Sequence, residues 1–108
     1  MAQEVDVRAF AAAHADGALV VDVREPHEYL SGHVPNARLI PLSDLVPRAG
    51  ELPRHQRVYV VCASGGRSAL AADWLARAGY EAVTVAGGTE AWRQAGYPVV
   101  SGLREGVA

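Results

Sequence analysis

Lysine is absent from this sequence, and cysteine occurs once, at Cys62. Without a lysine amine no Schiff-base intermediate can form on the chain, so that class of covalent catalysis is excluded. All ten basic residues are arginine. A solitary cysteine can make neither an internal disulfide nor a C-x-x-C zinc or redox pair, so Cys62 acts alone or is inert. No stretch approaches the roughly 20 apolar residues of a membrane-spanning helix. The start, Met1-Ala2-Gln3-Glu4-Val5-Asp6, is acidic where a signal peptide would be basic. A cytoplasmic protein with no membrane partner is the resulting expectation. The formal net charge of -2 gives no electrostatic footprint for nucleic acid, which is not an expected partner. His14, His27 and His55 lack ligand spacing, and Gly87-Gly88 contains no G-x-G-x-x-G pattern. No metal and no cofactor is therefore expected.

What remains fits one soluble domain. Half of the 108 residues are hydrophobic and a fifth are charged, enough for one core and too little for two. Asp6 can cap a short helix through Phe10 to Ala13. Ala18 to Val23 is a near-continuous apolar run, which suits a parallel strand buried on both faces and puts Asp22 near its C-terminal end. Pro26 and Gly32 bracket a helix through Leu30, and Ala37 to Ile40 reads as a second strand. Pro41, Pro47 and Pro53 leave room only for a short helical turn around Ser43 to Val46. Arg57 to Val61 is a third strand, ending at Cys62. Leu70, Ala71, Trp74, Leu75 and Ala78 recur at helical spacing from Ser68 onward, with Gly79 as the closing residue. Ala82 to Val85 is a fourth strand, and Gly87-Gly88 lead into a helix that holds Trp92 and ends at Gly96. Strands alternating with helices predict a parallel sheet with helical cover. Residues after Ser101 read as a loosely held tail.

The chemistry concentrates in Val61-Cys62-Ala63-Ser64-Gly65-Gly66-Arg67-Ser68. Two glycines let the backbone turn its N–H groups inward as an anion-binding nest. The same loop opens a helix, whose N-terminal partial charge, with Arg67 nearby, favours a thiolate at Cys62. In open α/β sheets ligands bind at the C-terminal ends of parallel strands, where Cys62 falls. This reading requires inward-facing amides and a sulfur that is not packed away from water.

Four blocks in order resemble a single-domain rhodanese: Val21-Asp22-Val23-Arg24-Glu25, then Gly32-His33-Val34-Pro35-Asn36-Ala37, then the Cys62 loop, then Gly87-Gly88 with Ala91-Trp92 and Gly96-Tyr97-Pro98-Val99. They cover most of the chain. The resemblance implies a rhodanese-like fold over residues 1–108, an α/β domain with a five-stranded parallel sheet flanked by helices on both faces. It implies a sulfurtransferase in which Cys62 accepts a sulfane sulfur as a persulfide and passes it to cyanide, a thiol or a protein. In that scheme the N–H groups of residues 63 to 67 (Ala63, Ser64, Gly65, Gly66, Arg67) cradle the sulfur or the donor anion. Arg67 adds positive charge, Ser64 and Ser68 donate hydrogen bonds, and Asp22 and Arg24 brace the loop from behind. Arg67 favours a small anionic donor such as thiosulfate.

Two other readings remain beside the thiosulfate sulfurtransferase. One is a persulfide carrier or protein-binding module without turnover of free thiosulfate. The other is cysteine phosphatase or arsenate reductase chemistry. Cysteine phosphatases have a similar architecture but read H-C-x5-R, whereas Cys62 to Arg67 reads C-x4-R and Val61 stands where the histidine would be. The loop is one residue short for a tetrahedral phosphate. His33, beside Gly32 and Pro35, reads as a hydrogen-bonded structural residue, and Trp74 and Trp92 as core.

Overall fold

β-branched runs separated by glycine and proline set the order of elements in the structure, a computed structural model in which residues 2–103 are described. The strands and helices are β1 (Gln3–Val5), α1 (Val7–Ala15), β2 (Leu19–Asp22), α2 (Pro26–Ser31), β3 (Arg38–Leu39), α3 (Leu45–Arg48), β4 (Val58–Val61), α4 (Gly66–Arg77), β5 (Ala82–Val85) and α5 (Gly88–Gln94). Short 3-10 turns at Leu42–Asp44 and Ala49–Glu51 flank α3. The five strands form one parallel sheet in the order β1-β5-β4-β2-β3. β4, which leads into Cys62, therefore lies at its centre.

The expected elements are present with three differences. β1 was not anticipated: Gln3-Glu4-Val5 has no apolar run, and it becomes a strand by pairing along β5 at the sheet edge. Pro47 lies inside α3 instead of ending a turn before it. It falls in the first turn, where its missing N–H leaves no intrahelical bond unmade. α4 begins at Gly66, two residues ahead of Ser68, which draws Arg67 into its first turn. Asp6 caps α1 as its side chain suggests, accepting from the Ala9 N–H at 2.7 Å.

Alternation along the strands divides the interior into two cores. Val58 and Val60 of β4 point to one side with Val21, Ala71, Ala72 and Leu75, and Cys62 continues that same face beneath α4. Val20, Val61 and Val85 point to the other, packed with Phe10 of α1, Tyr29 of α2 and Trp92 of α5. Leu70, counted in the helical stripe, is instead 67 % exposed, and Ala71 takes the inward position beside it. At the far end of the chain the Gly102 N–H donates to Leu30 O, and Val100 bridges His33. The expected tail is thus tied down as far as Gly102, and residues 104–108 lie outside the described residues.

Phe10 joins α1, β4 and α5 through its ring contacts with Tyr59 and Trp92. Phe10→Ala removes a fully buried ring, and the expected result is a loss of about 3–5 kcal/mol in urea unfolding. A loss below ~1 kcal/mol would mean that this core does not hold α1 to the sheet.

Candidate active site

Leaving the sheet at Val61, the chain must turn sharply to start α4, and Gly65 takes the turn at φ +116°, a left-handed value that a side chain would resist. Gly66 has ordinary backbone geometry with space for a Cβ, so only one of the two glycines is required for the turn. This conformation directs the Gly65 N–H onto Cys62 Sγ at 3.1 Å. The thiol in turn donates to Ser68 Oγ at 3.4 Å.

A competition decides the charge on this sulfur. Burial raises the Cys62 pKa and is the largest single influence. The Ser68 hydroxyl and the N–H groups of Ser68, Gly65 and Ser64 oppose it, and the net shift is downward. Each such bond to an ionised acceptor contributes on the order of 1.5–3 kcal/mol, so several together outweigh desolvation. The N–H donors come from Ser64 and Gly65, which lie in the expected 63–67 stretch, and from Ser68, which lies just beyond it.

Ala63 and Cys62 contribute their carbonyls instead. Cys62 O accepts from the Thr89 N–H at 2.8 Å and Ala63 O from the Glu90 N–H at 3.0 Å, so the start of α5 holds the loop from below. The approach is close. A Cβ on Gly88 would meet both carbonyl oxygens, the one of Ala63 at 2.8 Å, and Gly88 itself has φ +56°. The Gly87-Gly88 pair is therefore a packing surface for the Cys62 loop.

Two expectations are corrected. Cys62 is only 1 % exposed, so of the two conditions set from the sequence the open sulfur is not met, while the inward-facing amide is, through the Gly65 N–H. Burial alone is what an inert core thiol would show. The converging donors distinguish this site, because an apolar pocket would push the pKa up without opposing it. The second correction concerns Arg67. Its two terminal nitrogens donate to the two carboxylate oxygens of Glu28 in α2, at 2.7 and 2.9 Å, and its pKa is raised chiefly by that bond. The guanidinium closes an ion pair between α2 and α4 while its charge still acts on Cys62, so the expected positive charge is present but shared with a carboxylate.

Asp22 and Arg24 form a buried bidentate pair at the end of β2, at 2.9–3.1 Å. Arg24 Nη2 also donates to Gly32 O at 2.8 Å. They hold the end of α2, and hence the helix that carries Glu28. His33 is fully buried, stacked on Tyr29, with Nδ1 2.8 Å from Tyr29 O.

Glu28 and Thr84 were missed as site residues by sequence reasoning. Glu28 also accepts from the Glu25 N–H at 2.9 Å as part of the capping box of α2, and the Glu25-x-x-Glu28 spacing was its only signal. Thr84 lies 2.7 Å from Ser68 Oγ, and its signal was a lone hydroxyl within an apolar strand.

A buried strand-to-helix cysteine, ringed by N–H donors at the carboxyl end of a parallel sheet, defines a protein built to stabilise an anionic sulfur. The comparisons agree with that class. The model of the rhodanese-like domain matches residues 6–95. A sulfurtransferase of Allochromatium vinosum is 35 % identical over 104 residues, 94 % of this chain and 97 % of that protein. A putative sulfur carrier protein of Bacillus subtilis, YrkF, is 39 % identical over 64 residues, 59 % of this chain and 35 % of that one. Among solved structures, a rhodanese-related protein from Thermoplasma volcanium superposes with a TM-score of 0.86 at 36 % identity, covering 91 % of this chain and 97 % of that chain. The chain belongs to the rhodanese-like family of sulfurtransferases and sulfur carriers. Among the described residues no helix is long and apolar enough to cross a membrane.

The Glu28 carboxyl has its pKa lowered from 4.5 to about 2, first by the Arg67 hydrogen bond. A depressed carboxylate contributes stability that is fully present above pH 4.5 and is lost as pH falls through 2. Glu28→Gln should flatten the pH dependence of the melting temperature in that window. An unchanged slope would show that the ion pair does not link α2 to α4 in solution.

Proposed function

We propose that this chain moves a sulfane sulfur from a donor such as thiosulfate to a nucleophilic acceptor through a Cys62 persulfide. One observation carries the reading: N–H groups and a hydroxyl converge on the only sulfur nucleophile of the chain and lower its pKa. The Cys62 thiolate attacks the outer sulfur of thiosulfate, the S–S bond breaks, and sulfite leaves with the bonding pair. The product is an anionic persulfide. Cyanide or a thiolate then attacks the terminal sulfur and leaves with it, returning the Cys62 thiolate, so neither step needs an added oxidant or reductant. The donors that stabilise the thiolate are well placed by charge to stabilise the persulfide anion also. The work is done by the cysteine of the chain and its loop, with no cofactor.

A second reading, a carrier that hands its persulfide to a thiol or protein partner, is favoured by a specific feature. Glu28 occupies both terminal nitrogens of Arg67, and the sulfur is covered, so a free inorganic dianion finds little open positive charge. The relationship to a protein named as a putative sulfur carrier is in keeping with this.

Treatment with thiosulfate followed by intact-mass spectrometry tests both readings. The expected result is one added sulfur in the native chain and none in Cys62→Ser, with circular dichroism unchanged. Persistent loading of Cys62→Ser would remove Cys62 from the reaction. Thiocyanate release on adding cyanide separates the two: repeated turnover supports the transferase, and a single slow discharge supports the carrier.

A further inference from the structure

β5 reads Ala82-Val83-Thr84-Val85, fully buried along its length, and carries one hydroxyl. Threonine suits a strand, and a bond from Thr84 to Ser68 would serve simply to fasten β5 to α4. Counting protons at Ser68 points further. Ser68 Oγ, itself fully buried, lies 3.4 Å from Cys62 Sγ, 3.2 Å from Gly65 O and 2.7 Å from Thr84 Oγ1. It has one proton to give and two lone pairs to receive.

While Cys62 is a thiol, it donates to Ser68 Oγ, and the Ser68 proton is directed to Gly65 O or to Thr84 Oγ1. Loss of the thiol proton reverses the demand, because a thiolate only accepts. The Ser68 proton must then turn to the sulfur, and the lone pair that the thiol occupied needs a new donor. Thr84 Oγ1 is the hydroxyl within reach. We propose that Thr84 is a positioning residue: its O–H donates to Ser68 Oγ and thereby commits the Ser68 proton to the Cys62 thiolate. Such a chain of hydroxyls strengthens each bond along it, since every donor is polarised by the one behind it. The proposal rests on Cys62 being the nucleophile.

Most charged groups that face this chain of hydroxyls have partners of their own. Arg67 of α4 is paired with Glu28 of α2, and Asp22 and Arg24 pair at the end of β2. Thr84 also lies in the lining of a surface cleft with Glu4 of β1 and with Asp73 and Arg77 of α4, which are paired with each other. None of these groups is a hydroxyl, so a shift on removing the Thr84 hydroxyl alone reports the proposed chain.

The test is ultraviolet titration of the single thiolate in the full chain, with Cys62→Ser as the blank that subtracts the absorption of the four tyrosines as they ionise. The variants are Thr84→Val, Thr84→Ser, Ser68→Ala and the Ser68→Ala/Thr84→Val double variant. Below the titration midpoint, Thr84→Val should lower the thiolate fraction by about three- to tenfold, and Thr84→Ser should restore it. In the Ser68→Ala background, Thr84→Val should have no further effect, because the influence of Thr84 runs through Ser68. A wild-type titration in Thr84→Val, or an equal shift with Ser68 absent, would overturn the proposal. So would slower sulfur loading without any change in titration, which marks a purely structural role. If native Cys62 titrates like a free thiol, at about 8.5, the nucleophile assignment and this inference both fail. A lowered native value with no effect of Thr84 defeats the inference alone.

Discussion

Burial and hydrogen bonding pull the Cys62 sulfur in opposite directions, and the fold is arranged so that hydrogen bonding prevails. A covered thiolate is unfavourable unless donors replace the water it loses. The loop provides them because β4 delivers the chain to the carboxyl edge of the sheet, Gly65 turns it in a left-handed conformation, and α4 starts at once. Each condition depends on the one before. A bulky residue at the Gly65 turn would move the N–H groups, and without them burial would favour the neutral thiol.

The surrounding elements hold that geometry from three sides. α5 meets the loop through two N–H groups on the Cys62 and Ala63 carbonyls, at a distance that requires glycine at position 88. α2 meets it through the Glu28–Arg67 pair, and is itself fastened by Arg24 at Gly32. β5 meets it through Thr84 and Ser68. The cost of this enclosure is access. The Glu28–Arg67 pair, which joins α2 to α4, stays partly exposed while Cys62 is buried.

Much of this was legible in the residues. The apolar runs at Val20-Val21, Val58-Val61 and Ala82-Val85 identified the inner strands because strands buried on both faces need little polarity. The Cys62-to-Ser68 segment declared a turn into a helix through its glycines, and its order among the other blocks identified the family. Three features were hidden, for different reasons. β1 has no apolar pattern because an edge strand is held by backbone pairing with β5. The pairing of Arg67 with Glu28 joins residues 39 positions apart, and no local spacing encodes it. The burial of Cys62 is a tertiary outcome that glycine content does not report.

The central claim is that the donors around Cys62 outweigh its burial and hold its pKa below that of a free thiol. The rate of alkylation of the native chain by iodoacetamide, followed against pH beside a free cysteine peptide, tests it most directly. The expected result is a single titration with its midpoint below the about 8.5 of the free thiol, and a plateau rate held down by the cover over the sulfur. A midpoint at or above the free value would mean that burial prevails and that Cys62 is an ordinary core thiol.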